Sequence, residues 1–201
     1  MVAGIAVTVG LVAGTASGLV AGYFGGIVDE IIMRLVDLWS ALPFLLIVLV
    51  VAVTIGPSLI NVIWLLAVSS WSAGARNIRG EVLSIKTLDY VALARVGGAS
   101  NSRIIFRHIL PQVVHIVIVI TTLRTGSLIV AEAGLSFLGV GVPSSTPTWG
   151  IMIAEGRQFL ITSWWQAILP GVAIFMTVMA FNFLGDWMRD RFDPRLRQTL
   201  G

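Results

Sequence analysis

The chain has 201 residues, 57% of them AVILMFWYC and 11% charged, against about 25% charged in an ordinary soluble domain. A core of this size cannot bury that much apolar surface, which excludes a water-soluble globular domain, and the same composition excludes disorder. With 0 Cys there is no disulfide framework, thiolate metal site or cysteine nucleophile; the net charge of +3 sits in clusters between long uncharged runs, a pattern that speaks for membrane topology and against nucleic-acid binding.

About 20 apolar residues in a helix cross a bilayer. Residues 1–28 carry no charge, and neither do residues 38–75, which suffice for two spans with a turn at Gly56-Pro57. Residues 108–131 are apolar apart from His108, His115 and Arg124, and residues 158–185 are uncharged. The expectation is an all-α polytopic membrane protein in one domain over 1–201, with five transmembrane helices near 2–22, 31–55, 58–76, 111–131 and 166–187.

The first span is no signal peptide, because it lacks a basic n-region and its apolar stretch is too long. Gly10, Gly14, Gly18 and Gly22 fall on one of its faces, either as a small-residue stripe for close helix packing or as ordinary membrane-helix glycine. The second span begins amphipathic. Glu30, Arg34 and Asp37 share a face opposite Ile31, Ile32, Leu35 and Leu38, so Ile27–Ala41 starts at the membrane surface or against protein, and Pro43 kinks or restarts the helix. Between the third and fourth spans, residues 77–110 read as a loop of short helical pieces, with Glu81–Lys86 first and Leu88–Val96 second. Gly97-Gly98 ends the second piece, Ser100 or Asn101 caps a third over Ser102–Leu110, and Pro111 opens the next span. After the fourth span, Ala133–Val142 is too short to cross and reads as an interfacial or re-entrant helix. A turn at Pro143–Thr148 and a second short helix near Trp149–Leu160 follow, with Trp149, Trp164 and Trp165 as an interfacial belt.

Orientation follows from the basic residues. Arg76, Arg79, Lys86, Arg95, Arg103 and Arg107 lie between spans three and four, and Arg189, Arg191, Arg195 and Arg197 lie in the tail. The 132–165 segment has only Arg157. The positive-inside rule then places the 77–110 loop and the C-terminus in the cytoplasm and the N-terminus outside.

Several chemistries lack their residues. The single lysine, Lys86, follows Ser84-Ile85 with no glycine cradle, so there is no phosphate-binding loop, and no HExxH or GxSxG pattern occurs. His108 and His115 are two helical turns apart with no carboxylate at ligand spacing, which fits capping or packing histidines better than a metal site. The expectation is therefore no catalytic residue, no metal and no cofactor on this chain. An autonomous secondary transporter or channel is the competing class, yet it would call for inverted repeats or charged midplane residues, and Arg124 alone lies well inside a span.

One stretch is more specific. Asp89-Tyr90-Val91-Ala92-Leu93-Ala94-Arg95-Val96-Gly97-Gly98-Ala99-Ser100, followed by Ile104-Ile105-Phe106-Arg107-His108-Ile109-Leu110-Pro111, resembles the EAA loop of binding-protein-dependent ABC importer permeases. Gly98 follows Ala94 by four positions, and nine residues separate it from His108-Ile109-Leu110-Pro111; His-x-Leu-Pro is the form typical of the peptide importer branch. The motif's glutamate and first alanine are replaced by Ala92 and Leu93, which removes the family's charged contact to the ATPase and leaves Asp89 as the nearby acid. Glu132-Ala133-Gly134-Leu135-Ser136-Phe137-Leu138-Gly139-Val140-Gly141 with Pro147-Thr148-Trp149-Gly150 resembles the E-x-x-LSFLG-x-G…WG segment of the dipeptide, oligopeptide and nickel subfamily. Gly185-Asp186-Trp187-Met188-Arg189-Asp190…Asp193-Pro194-Arg195 resembles its tail, and Gly22 to Asp37 its core start.

The resemblance covers essentially the whole chain and is nearest the C-type permease subunit of that class. It implies a type I importer permease fold in a prokaryotic inner membrane, without the further N-terminal helix and external loop that such subunits carry, so that the chain is a five-helix core, truncated or begun internally. It also implies a second homologous permease subunit, two ATP-binding subunits that hold ATP and Mg, an extracytoplasmic solute-binding protein, and peptides as cargo, with nickel or another small solute as the alternative. By the same resemblance Leu88–Gly98 is the coupling helix. Tyr90, Leu93 and Ala94 pack into the ATPase groove, Arg95 sits at its polar rim, and Asp89, Ala92, Gly98, His108 and Pro111 complete the loop. Arg124 and Glu132, two turns apart on one face, either line the pathway or pair with charges on the partner subunit, because charges in the membrane are functional candidates by default. Asp186, Arg189, Asp190 and Asp193 organise helix ends.

Overall fold

A computed structural model describes residues 1–143 and 145–192, and all its regular structure is helical. Nothing breaks the first apolar stretch until Gly25 and Gly26, whose φ of 66° and 55° lie in the left-handed region that glycine enters without strain. Helix α1 therefore runs Val2–Phe24, and the chain reverses into α2, Gly26–Ala41. Pro43 cannot continue α2, so α3, Phe44–Thr54, restarts at 78° to it. The expected span at 31–55 is thus a bent pair. Gly56-Pro57 makes the next turn, and α4 runs Leu59–Ile85.

Here the structure departs from the expected loop. Residues 77–85 continue α4 without a break, because Asn77–Ile85 holds no proline and the helix has core to pack on: Ile78, Val82 and Ile85 are buried. Glu81–Lys86 is not a separate piece. Helix α5, Asp89–Val96, and α6, Asn101–Ile104, follow, and Ser100 caps α6 by accepting from the Arg103 N–H. A π-helical turn over Ile105–Ile109 then leads straight into α7, Leu110–Phe137. Pro111 therefore sits inside a continuous 37-residue helix, Asn101–Phe137, and not at a fresh start. The wide turn just before it makes room for the ring and for a carbonyl that has no N–H to meet.

The expected re-entrant helix over Ala133–Val142 is not separate either. Its first residues finish α7, because Leu135 and Ser136 are buried, and Gly139, at φ 77°, turns the chain away. Helix α8, Trp149–Gly156, is capped by Thr148, and α9, Trp165–Phe192, ends the described chain. Four helices (α1, α4, the α6–α7 run and α9) are long and apolar enough to cross a membrane, and the bent α2–α3 pair makes a fifth.

Two apolar clusters stack along the bundle. One, at the α8 end, joins Ala6, Val7 and Leu11 to Val48, Leu66, Leu128 and Leu135. The other, at the α5 end, joins Leu19 and Tyr23 to Ile78, Val82, Val91, Ile104, Ile109 and Val113. Helices α1 and α4 run parallel in close contact along the glycine stripe. A Cβ at Gly10 would lie 2.6 Å from Ser70 Cβ, at Gly14 2.8 Å from the Trp71 carbonyl oxygen, at Gly18 2.7 Å from that of Ala75, and at Gly22 2.7 Å from Val82 Cβ. The stripe is a packing surface, and parallel helices at this spacing require the chain to cross back between them, which α2–α3 does.

Candidate functional site

The short helix α5 lies across the ends of α1, α4 and α7. Leu88 stands at its N-cap position with extended backbone, and Gly97-Gly98 ends it. Gly98, at φ 77°, makes the sharp exit that a side chain would strain. Val91 faces inward and is fully buried among Val82, Ile104 and Ile109, and Ala94 packs against the same cluster. The other face is bare: Leu93 is 70% and Val96 88% exposed, with Asp89 and Ala92 beside them. Turns of 100° per residue put 89, 92, 93 and 96 on one stripe opposite 91 and 94. Leu93 is outward and Tyr90 lies on the flank of the helix beside His108, whereas Ala94, expected in a partner's groove, is turned into this chain's own core by its register with Val91. Val96 was missed; its spacing of three from Leu93 was the available signal.

Polar contacts clamp the surroundings of α5. The Tyr23 hydroxyl is 2.8 Å from Asn101 Oδ1, and the Arg95 guanidinium lies 5.9 Å from the Tyr23 ring centre, a cation–π distance. Lys86 Nζ donates to the Gly22 carbonyl at 2.7 Å, satisfying one of the last carbonyls of α1. Arg79 holds Asp29 through two bonds, at 2.5 and 2.6 Å, tying α4 to α2. His108, in the π-helical turn, sits 6.4 Å from the Tyr90 ring, and His115 stacks on Phe192 at 4.9 Å, so both histidines are packing residues here. No cluster of three or more His, Asp or Glu side chains with metal-ligand geometry occurs among the described residues. A push on the outer face of α5 would thus reach α1, α4 and α7 through Val91, Tyr23 and the π-helical turn.

The second motif folds on itself. Glu132 accepts from the Ser136 hydroxyl at 2.8 Å, and a Cβ at Gly141 would stand 2.6 Å from the Ser136 backbone nitrogen. Gly150 lies against the Ala133 carbonyl, too close for any side chain. Gly139, Gly141 and Gly150 are thus spaced to fold the chain back over the end of α7. Glu132 lines a cavity of about 630 Å³ at the α8 end, with Thr125, Thr148 and Trp149. Arg124 does not share it. It lines a separate cavity between α2, α4 and α7, because eight residues turn a helix about 80° past two full turns. The two charges are therefore not on one common surface. In the tail, Gly185 packs on α7, where a Cβ would be 2.7 Å from Thr122 Oγ1, while Asp186, Arg189 and Asp190 are exposed. Asp193, Pro194, Arg195 and Arg197 lie outside the described residues.

Comparison with known sequences settles the family. The pattern of binding-protein-dependent transport system inner membrane components matches residues 14–198. The chain belongs to that family. It is 43% identical over 198 residues to the glutathione transport system permease protein GsiD of Pectobacterium atrosepticum, covering 98% of this chain and 66% of that protein. It is 38% identical over 192 residues to the dipeptide transport system permease protein DppC of Alkalihalophilus pseudofirmus (96% and 63%) and 40% identical over 186 residues to that of Bacillus subtilis (92% and 58%). The chain therefore spans somewhat less than two thirds of the length of these relatives. Family membership carries the fold class with it: a helical inner-membrane component, with α5, α6 and the π-helical turn occupying the segment that resembles the EAA loop.

Proposed function

We propose that the chain forms the core of one permease half of an ATP-driven importer and that α5 is its coupling helix. The observation that carries this is α5 itself: a surface helix keyed by Val91 into the ends of three long helices, with Leu93 and Val96 bare on its outer face. An apolar stripe that its own fold leaves unburied fits a groove on another protein, and the family supplies the partner. Two ATP-binding subunits hold ATP and Mg, and each docks on the coupling helix of one permease. A second permease completes the pathway, a solute-binding protein delivers cargo from outside, and lipid surrounds the rest; nucleic acid has no part. This chain supplies transport and not hydrolysis. With Ala92 in place of the motif's glutamate, the contact with the ATPase is mainly apolar, through Ala92, Leu93 and Val96, with Asp89 at its edge.

Closure of the ATPases on ATP would draw the two coupling helices together, and the clamp of Tyr23, Asn101, Lys86 and Arg79 would carry α1, α4 and α7 along as one body. Binding energy spent on one arrangement shifts the inward–outward equilibrium toward it. The basic residues Arg79, Lys86, Arg95, Arg103 and Arg107, with Arg189 and Arg191, gather at the α5 end, and Arg76 lies about one turn of α4 further in. The positive-inside rule puts that end and the C-terminus in the cytoplasm, and the start of α1 outside. The cargo reading is peptides, because the relatives are named for dipeptide and glutathione transport.

The test uses the full-length protein in native membranes. Gentle solubilisation and affinity recovery should bring along a second permease and chains with phosphate-binding loops. Leu93→Asp should abolish recovery of the chains with phosphate-binding loops, and ATP-driven uptake of trialanine, while leaving the permease folded. Recovery of the chain alone, well folded, or full uptake by the Leu93→Asp variant, would overturn the reading.

A further inference from the structure

Near the middle of α7, Arg124 lines a cavity of about 220 Å³ whose other walls are Ser40 on α2 and Ser72, Ala73, Arg76 and Asn77 on α4. Apart from Ala73 the lining is polar. Arg76 already has its counter-charge: it donates to Asp37 Oδ1 at 2.8 Å and to Ser40 Oγ at 3.4 Å. Arg124 has none. It is half-buried, and among the described residues it makes neither an ion pair nor a hydrogen bond. A guanidinium in a spanning helix that lines a polar cavity and lacks a counter-ion is placed to receive an anion. The cavity exceeds the roughly 30 Å³ share of a liquid water several-fold, so a carboxylate with part of its parent molecule fits.

We propose that Arg124, with Arg76 as a second cation and Ser40, Ser72 and Asn77 as polar walls, is an anion site that takes the carboxylate of the solute in transit. The guanidinium fork matches a carboxylate in two-point contact, which a lysine would not reproduce. The Asp37–Arg76 pair keeps the site at one net positive charge, so that a single carboxylate neutralises it and is not held by two uncompensated cations. Arg124 is then a specificity residue of this subunit, and the inference rests on the importer reading above.

The chain contains 0 Cys, so an introduced thiol is its only one. Asn77→Cys, at an exposed position lining the cavity, is made in the assembled transporter and reacted with an anionic sulfonatoethyl and a cationic trimethylammonioethyl methanethiosulfonate. Loss of a close charge-assisted contact corresponds to about tenfold. The anionic reagent should be favoured, and adding Arg124→Gln should cut that preference about tenfold, with Arg124→Lys intermediate. Trialanine should slow labelling more than its C-terminal amide does, and Arg124→Gln should erase the difference. An unchanged reagent preference in Arg124→Gln, or equal protection by acid and amide in a transporter that takes up trialanine, overturns the proposal. So does loss of the companion chains from the Arg124→Gln complex together with no trialanine protection in Arg124→Lys, which makes Arg124 the partner of another subunit's acid. If the wild type takes up no trialanine, yet the Asn77→Cys transporter keeps the reagent preference and is protected by acetate but not acetamide, the peptide reading falls and the anion site stands.

Discussion

Helices α1 and α9 are almost equally apolar and of similar length, yet 44% of the α1 window is buried inside the chain against 11% of the α9 window. The difference is where their small residues fall. On α1, Gly10, Gly14, Gly18 and Gly22 recur every four residues and admit the α4 backbone along about three turns. On α9, Gly171 has nothing within 4 Å of a would-be Cβ, and only Gly185 sits in close contact. In lipid, apolar side chains gain little by touching each other, since the hydrocarbon around them is equally apolar. Close backbone approach and the dispersion contacts it allows decide which helices pair. Phe175, Met176, Phe183 and Trp187 of α9 accordingly stay exposed, available to lipid or to another chain.

The sharpest way to break this comparison is a leucine at each kind of glycine. Gly14→Leu must push α4 away along its backbone and should cost about 3 kcal/mol or more, read as a lowered thermal midpoint in detergent. Gly171→Leu on α9 should change it by no more than about 0.5 kcal/mol. Equal effects would sink the idea that glycine register separates the two helices. Next in size, Asp29→Asn leaves Arg79 half-buried without its carboxylate and should cost about 1–3 kcal/mol, measured the same way. Val91→Ala follows at about 1–2 kcal/mol, since it removes buried methyl groups from the α5 contact. It should also loosen coupling, seen as ATPase activity that no longer rises with solute. The smallest effect is expected at the exposed Glu30–Arg34 pair, one turn apart on α2. Glu30→Gln should cost no more than about 0.5 kcal/mol, and a larger loss would show that this face is covered in the membrane.

The α5 region shows how much of the site was legible. The helical piece at Leu88–Val96, the Gly97-Gly98 stop and the Ser100 cap are local signals, and α5 stands within a residue of where they put it. The direction each side chain faces was not legible. Tyr90, Leu93 and Ala94 read as one apolar face, but burial of Val91 rotates the helix so that Ala94 turns inward and Val96 joins the outer stripe. The Tyr23–Asn101 bond links residues 78 apart, and no neighbouring residue announces it. The expected 77–110 loop was too long for a related reason. Charge beginning at Arg76 reads as the end of a membrane span, whereas the helix itself continues as long as Ile78, Val82 and Ile85 have a core to enter.

Composition and hydrophobic run length are properties of the chain alone, and they determined the solvent, the all-helical class and the rough positions of the helices, because each depends on residues adjacent in sequence. The glycine stripe offered a packing face as one of two readings, and the close approach of α4 selected it. Only the tertiary structure decided that α4 is the helix it receives, that α4 runs to Ile85, that Pro111 lies within a continuous helix, and that Arg124 and Glu132 open into different cavities. Each of those depends on which distant segments meet, and one helix's own periodicity does not specify its neighbour.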